Sequence, residues 1–176
     1  MTYTLKKSIL CCFLLITAMA MNAQTWPPAG MIGDGLSEST AWEITTPAQL
    51  EALALYVNAG NGSQTSGKFY KLMNDIDLSG YSNWIPIGNS SATNYFQGRF
   101  DGNDFVVKNL KITGTSNYSG LFGYLLNATI KNLGIVNCNI NGGQYTGGLA
   151  GYNNATSITN CYVTGNVTAN SIVGMV

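Results

Sequence analysis

The fold of this chain is decided by a short stretch that occurs twice, first as Gly120-Leu121-Phe122-Gly123-Tyr124 and then as Gly148-Leu149-Ala150-Gly151-Tyr152. The two copies are 28 residues apart, and the isoleucine and asparagine at Ile130 and Asn132 recur at the same offset. A fixed period of this length is typical of proteins built from stacked repeats. One such repeat cannot bury its own apolar side, so we expect successive units to stack as a solenoid of short strands.

A second signature consists of Asn, then Leu or Cys, then any residue, then Ile or Val. It begins at Asn109, Asn132, Asn137 and Asn160. These asparagines suit chain corners because Asn tolerates the left-handed conformation. In stacked parallel strands, like side chains lie above like at a spacing of about 4.8 Å. The signature therefore predicts one internal ladder of Leu110, Leu133 and Cys161, beside a second ladder of Ile112, Ile135 and Val163.

One helix is predicted ahead of the strands. Thr46 can act as the N-cap, Pro47 suits the first helical position, and Gln49 completes a capping box. Glycine at position 60 provides a stop. An apolar helix face must be buried, so we expect this helix to cover one end of the stack. The predicted face consists of Leu50, Leu53, Ala54 and Val57.

The composition argues against most catalytic sites. The chain contains no His, which excludes an H-E-x-x-H zinc site, a Ser-His-Asp triad and a Cys-His pair within these residues. Lys+Arg and Asp+Glu number 8 each, so there is no basic footprint for nucleic acid. Charged residues make up 9 % of the chain, against about 25 % in an ordinary soluble domain. These features favour a structural or binding role, and we predict no catalytic residue, metal site or cofactor.

The first residues have the pattern of a secretory signal peptide. Lys6 and Lys7 form a positively charged start, and an apolar run at residues 9–20 leads to a cleavage site near Ala23. The apolar run is too short to span a bilayer comfortably. We therefore predict an exported protein, either secreted or on the outer cell surface, with no transmembrane segment after cleavage.

The glycine stretches resemble the GLUG motif, named for Gly-Leu-any residue-Gly. Segments at residues 69–78, 84–88 and 100–103 also resemble such proteins in their order. Family members often have Gly-His where this chain has Asp104-Phe105, which removes the usual glycine turn at that corner. The motif positions are Gly120, Leu121 and Gly123 in the first copy and Gly148, Leu149 and Gly151 in the second.

The resemblance implies an all-β fold, a right-handed parallel β-helix with an N-terminal capping α-helix, on a secreted or surface protein typical of Bacteroidetes-like bacteria. It divides the chain into a signal peptide at 1–23, N-terminal loops and a strand at 24–45, the capping helix at 46–60, and β-helix coils at 61–176. The chain stops inside a repeat, which is expected of the N-terminal part of a longer protein. GLUG repeats also precede the zinc catalytic domain of IgA-specific metallopeptidases, and nothing of that domain is present in this sequence.

Five polar residues are candidates for a cation or glycan site. Asp75 and Asp77 share one strand face about 7 Å apart, a separation that suits a carboxylate pair or a cation. Arg99 and Asp101, with Asp104, could line a glycan groove. The simpler interpretation, which we prefer, is an outward polar face bonded to loop amides for the first pair and a turn position for Asp101.

Two further groups have alternative interpretations. Cys138 and Cys161 are either buried free thiols, which we favour, or a disulfide across adjacent coils. Several tyrosines recur near the glycine turns, where they either pack over the turns, as we favour, or stack on sugars. These are Tyr118, Tyr124, Tyr145, Tyr152 and Tyr162.

Two classes of function remain open on the sequence. The first is a non-catalytic surface or secreted β-helix region for adhesion or for presenting other domains, with a host glycan or protein as its partner. The second is part of an enzyme, either an IgA-protease-like metallopeptidase or a carbohydrate-active β-helix. The first needs no catalytic constellation, so we favour it.

Overall fold

The structure is a computed structural model that describes residues 26–171 and 173–174. The predicted signal peptide at 1–23 lies outside the described residues. In the described part of the chain, short strands make up most of the regular structure, and no helix is long and apolar enough to cross a membrane.

From Arg99 onward the strands follow one another with short connections along the chain. In chain order they are β1 Trp42–Ile44, β2 Phe69–Leu72, β3 Ile76–Asp77, β4 Arg99–Asp101, β5 Val106–Lys108, β6 Lys111–Ile112, β7 Phe122–Leu126, β8 Thr129–Lys131, β9 Gly134–Gly142, β10 Thr146–Gly147, β11 Ala150–Asn154, β12 Ser157–Thr159, β13 Tyr162–Ala169 and β14 Val173–Gly174.

These strands pair in parallel. One sheet has the order β1-β2-β4-β8-β12, and a second has the order β13-β9-β5-β3, with β6 also paired to β9. Two smaller pairs join β7 with β11 and β10 with β14. Ile130 lies beside Ile158, and Tyr124 lies beside Tyr152. The 28-residue offset of the sequence is therefore the register of strand pairing, which confirms the prediction of a mainly β fold with parallel strands.

The helix α1 spans Pro47–Tyr56 and begins with the predicted capping box. The Thr46 hydroxyl accepts a hydrogen bond from the Gln49 backbone N–H at 3.2 Å, and the Gln49 side chain accepts one from the Thr46 N–H at 3.1 Å. A π-type turn, Val57–Asn61, and a 3-10 turn, Gly62–Thr65, follow. Gly60, at the predicted stop, adopts a φ of 97° that an L-residue with a side chain rarely adopts.

One hydrophobic core joins the helix to the strands. The predicted helix face is buried in the same cluster as Ile44 and Leu72 from the first two strands. Aromatic side chains fill much of the rest, and the indole N–H of Trp84 donates to the Leu121 carbonyl at 3.2 Å. Burying each large apolar side chain contributes about 1.5–3 kcal/mol, so this shared core holds the helix against the first strands.

The predicted ladder of Leu110, Leu133 and Cys161 is wrong in its pairing, although all three contribute to the core. The pairing of β6 with β9 puts Ile112 beside Ile140, so Leu110 lies next to Cys138. Leu133 does lie next to Cys161, as the register of the strands that follow them shows.

The reason for this error is that one signature marks two different corners. Asn109 and Asn137 occupy one corner, and Asn132 and Asn160 occupy the other, all with φ between 52° and 59°. Both corners need a left-handed residue followed by an inward-pointing one, so the sequence repeats the same pattern at both. The 23-residue spacing between Asn109 and Asn132 therefore separates two corners of one repeat.

Candidate functional site

A cavity of about 190 Å³ lies on the outer face of the sheet that contains β2, β4 and β8. Its position follows from strand alternation, because successive side chains of a strand point to opposite faces. The middle residues Tyr70, Phe100 and Ile130 are buried in the core. Their neighbours therefore point outward in two rows, Phe69-Arg99-Thr129 and Lys71-Asp101-Lys131.

The second row carries charges of alternating sign. Glu43, Lys71, Asp101 and Lys131 lie side by side in register on four neighbouring strands. Opposite charges placed across strands contribute roughly 0.2–1 kcal/mol each. Glu38, from the loop before β1, reaches over this row, and its Oε1 lies 2.8 Å from Nζ of Lys131.

Three groups bond to the Asp101 carboxylate. Its Oδ1 accepts hydrogen bonds from the Asn103 backbone N–H at 2.8 Å and the Asn132 side chain at 3.0 Å, and its Oδ2 lies 3.3 Å from Nζ of Lys131. Partial burial pushes the pKa of Asp101 upward, but these hydrogen bonds and the lysine outweigh it, and the pKa is lowered overall. Both oxygens of this carboxylate are therefore used within the protein.

Lys131 is paired with acidic side chains, whereas Arg99 and Lys71 are not. All eight acidic residues of the chain lie within the described residues, and none of them forms a salt bridge with Arg99 or Lys71. The guanidinium carbon of Arg99 lies 5.2 Å from the centre of the Phe69 ring, a cation–π contact that orients the side chain. The cavity thus presents two cationic groups that form no salt bridge with an acidic side chain.

The other predicted pair, Asp75 and Asp77, lies in a different sheet, at β3. Asp75 forms a 2.7 Å salt bridge with Lys108 and accepts the Val106 N–H. Asp77 accepts the Ser79 N–H at 2.9 Å and the Asn109 side chain at 2.8 Å. The hydrogen bond from Lys108 lowers the pKa of Asp75, and the one from Asn109 lowers the pKa of Asp77. Each carboxylate therefore bonds to its neighbouring strand.

Two ladders of polar side chains cross the strands, built on the recurring corner asparagines that the sequence predicts to bond neighbouring layers. In one, Asn137 donates to Asn109 at 2.7 Å and Asn109 donates to Asp77. In the other, Asn160 donates to Asn132 at 3.2 Å and Asn132 donates to Asp101. The recurring asparagines are visible in the sequence. The aspartate at the start of each ladder is not, because it is brought there by the register of the paired strands. Both ladders are structural, because every amide is bonded to the next layer.

The glycines of the repeated stretches serve close approach of the backbone. A Cβ on Gly151 would lie 2.6 Å from the Tyr118 carbonyl carbon and 2.7 Å from the Tyr145 oxygen. The left-handed positions belong instead to Tyr118 and Tyr145, with φ of 61° and 59°. Leu121 and Leu149, between the glycines, are fully buried. The motif therefore packs one layer against the next.

Most of the recurring tyrosines form one half-buried cluster on the surface. Tyr118 and Tyr145 stack with ring centres 5.1 Å apart, and Tyr124 and Tyr152 lie 4.7 Å apart. Tyr95 joins the cluster through Tyr124, 4.0 Å away. Tyr162 lies apart from them, against Gly134. The ring faces are largely used within the cluster, in agreement with packing over the turns.

The two cysteines of the described residues are free thiols. Cys138 is buried, and Cys161 is half-buried in the layer beyond it. Burial raises the pKa of both thiols, which makes them poor nucleophiles. Within the same residues, no three His, Cys, Asp or Glu side chains are grouped so as to hold a metal ion.

The structure brings Arg99 and Asp101 together in the cavity but leaves Asp75 and Asp77 in another sheet, and Asp104 does not line the cavity. Sequence reasoning missed Lys71 and Lys131, which share the outward row with Asp101. Strand alternation alone could have indicated them. The contribution of Glu38 could not be predicted, because it comes from a loop 93 residues away from its partner Lys131.

These features define a repeat protein of parallel strands in which a glycine-leucine motif packs layer on layer. Residues 142–168 match the GLUG motif. The chain therefore carries a GLUG motif, which confirms the resemblance at the second of the two glycine stretches.

Two curated proteins are similar to this chain. Halomucin from Haloquadratum walsbyi is 34% identical over 153 residues, which are 81% of this chain and 2% of that protein. A putative Gly-rich membrane protein from Evansella cellulosilytica is 32% identical over 110 residues, which are 58% of this chain and 12% of that protein. The chain thus spans only a small part of the curated relatives that it matches. No solved structure matches it significantly.

Proposed function

We propose that this chain is a non-catalytic region of a larger surface or secreted protein, in which it serves adhesion or the presentation of other segments. In this proposal, residues 61–176 form coils of a right-handed parallel β-helix, and the helix at 46–60 caps the first coil. The parallel pairing at an offset of about one repeat supports the coils. The right hand rests on the general rule that crossovers between parallel strands are right-handed in about 98% of cases.

The proposal rests on one observation: the aspartate carboxylates link neighbouring layers through hydrogen bonds and a salt bridge. Asp75, Asp77 and Asp101 each bond to a neighbouring strand or to the ladder that begins there. A general acid or a nucleophile needs a carboxylate that can face a substrate. Carboxylates bonded in this way, with lowered pKa values, stabilise a stack of layers instead.

A surface or secreted location is supported by the GLUG motif and by the names of the two relatives, one of which is called a membrane protein. The predicted signal peptide agrees with this location. The low charge and the parallel pairing of successive strands suit a rigid spacer, whose length grows with the number of layers.

The experiment is surface proteolysis of intact cells that produce the full protein with an epitope inserted after Gly67, in an exposed turn. We expect protease to remove the epitope from intact cells, or the tagged protein to be found in the medium. A cytoplasmic marker protein is the control for lysis. Protection of the epitope until the cells are broken, with the start of the chain retained, would contradict the proposed location.

A second arm tests the absence of catalysis. The same full protein is incubated with immunoglobulin and with acidic polysaccharides, and products are followed by mass spectrometry. We expect no turnover. Turnover that disappears in an Asp75→Asn, Asp77→Asn or Asp101→Asn variant, while the variant stays folded by circular dichroism, would overturn the non-catalytic role in favour of an enzyme.

A further inference from the structure

We propose that the cavity beside Arg99 binds a carboxylate-bearing sugar, such as a uronic acid unit of an acidic polysaccharide. This inference goes beyond the proposed surface role. It rests on that role in one point, the choice of a sugar as the molecule that bears the carboxylate. The first argument is electrostatic. Lys131 is neutralised by Glu38 at 2.8 Å and Asp101 at 3.3 Å, whereas Arg99 and Lys71 form no salt bridge within the described residues.

Arg99 is placed to recognise a carboxylate. Its guanidinium is oriented over the Phe69 ring, and this contact leaves the N–H groups at its edge available. Arginine binds carboxylates through two parallel hydrogen bonds, in a geometry that its planar fork matches. Thr129 lies beside Arg99 on the next strand and adds a hydroxyl to the same row.

The local charge fits a ligand group with a single negative charge. The cavity lining contains three cations, Lys71, Arg99 and Lys131, and two anions, Glu38 and Asp101. The acids of the lining disfavour a doubly charged group beside Arg99, whereas a carboxylate brings a single charge into the cavity. The exposed Glu38 carboxylate, at 72% exposure, offers an acceptor for sugar hydroxyls at the rim.

The size of the cavity fits one ring of a longer molecule. Its volume of about 190 Å³ is smaller than the roughly 300–1,000 Å³ of pockets that bury a drug-sized ligand. The outward rows continue on the next strand through Ser157 and Thr159, which lie beside Thr129 and Lys131. These hydroxyl-bearing side chains favour a polysaccharide that runs across the strands, rather than a peptide that pairs along one.

The test is an NMR titration of the full chain with trigalacturonate and with its methyl ester, which has the same shape without the charges. N-acetylneuraminate and glucuronate serve as further acidic probes. We expect shifts at the amides of β2, β4 and β8 with an acidic probe, and at least tenfold weaker binding of the methyl ester. Arg99→Gln and Lys71→Gln are each expected to weaken binding at least tenfold.

The matched control is Lys111→Gln, which removes an exposed strand lysine on a different sheet and is expected to leave binding unchanged. Equal effects of Lys111→Gln and Arg99→Gln, or equal binding of the ester, would overturn the inference. So would the absence of binding by all acidic probes. Binding of inorganic sulfate or of an acidic peptide as tightly as the sugars would assign the cavity to those ligands and overturn the sugar. Because the titration uses purified protein, its result does not depend on the proposed location.

Discussion

Residues 129–140 and residues 157–167 follow the same pattern and lie side by side, yet the first segment is buried and the second is half exposed. Ile130, Ile135 and Ile140 are almost fully buried, whereas their register partners Ile158, Val163 and Val167 are not. Within the described residues, β8 and β9 have a neighbouring strand on both sides, and β12 and β13 have one on a single side. Burial at these positions therefore comes from the adjacent layers more than from the sequence of the layer itself.

The two segments also differ in charge. All acidic residues lie between positions 34 and 104, and no charged residue follows Lys131. The helix-covered end of the molecule thus combines an apolar core with ionic contacts between strands. The layer at 150–169 contains no charged side chain and is held by backbone pairing, amide contacts and partly buried apolar side chains such as Ile158 and Val163. This contrast predicts that equivalent substitutions in the two segments have unequal effects.

The largest effect is expected from a charge inside the enclosed layer. Leu133→Asp places a carboxylate without a partner in the core, which costs several kcal/mol, comparable to the whole stability of a small domain. We expect the full chain to lose its cooperative thermal transition in circular dichroism. Asn139→Asp, at an exposed position of β9, the strand that begins directly after Leu133, is the control and should change stability by no more than about 0.5 kcal/mol. Equal tolerance of both changes would mean that Leu133 does not face a packed core.

The second prediction compares one position in two layers. Ile130→Ala removes a fully buried side chain and should cost about 2–5 kcal/mol, measured by urea unfolding. Ile158→Ala changes its half-exposed register partner, so we expect less than about half of that loss. Similar losses for both would show that residues 157–167 are enclosed in solution, for example by association between copies of the chain.

The third prediction concerns the asparagine ladders. Asn137→Ala removes an amide and forces alanine into a left-handed conformation, so it should cost about 1–3 kcal/mol. Asn137→Gly keeps the conformation and removes only the amide, so it should cost less. Asn160→Ala should cost less than Asn137→Ala, because its layer is more exposed. If the glycine variant is as destabilised as the alanine variant, the ladder matters and the backbone conformation does not.

Much of the architecture could be predicted because the responsible interactions are local or periodic. The capping box needs only Thr46 and Gln49, and the 28-residue offset needs only the repeated glycine stretch. The pairing of Leu110 with Cys138 could not be predicted, because the same Asn signature serves two corners and only the three-dimensional register separates them.

The candidate site was less predictable than the fold. The sequence indicates Arg99 and Asp101 as possible lining of a glycan groove, and strand alternation does put them on one face. Their neighbours Lys71 and Lys131 come from adjacent layers, 28 and 32 residues from Arg99 in the sequence. Lys131 is neutralised in part by Glu38, a loop residue far away in the sequence. No sequence pattern shows that this loop lies over the row.

The smallest effect is expected from acid, and it should be confined to the helix-covered end. The pKa values of Asp75, Asp77 and Asp101 are lowered in the folded chain. Such groups stabilise the fold above their unfolded pKa of about 3.9, and this stabilisation is lost as the pH falls through the lower folded value. For Asp101, which is partly exposed and screened by solvent, the contribution is at most about 1 kcal/mol.

We therefore expect the free energy of urea unfolding to be steady from pH 7 to about pH 5 and to fall below about pH 4. Asp101→Asn should be slightly less stable at pH 7 and should lose less on acidification. Asp104→Asn is the matched control, because the Asp104 side chain is exposed and makes no hydrogen bond within the described residues. In two-dimensional NMR spectra the shifts on acidification should concentrate at β3, β4 and β5, while the amides of β11 and β13 stay nearly constant, since no carboxylate side chain lies in those strands. Large acid-induced shifts in β13 would show that the two regions are coupled more strongly than their contacts indicate.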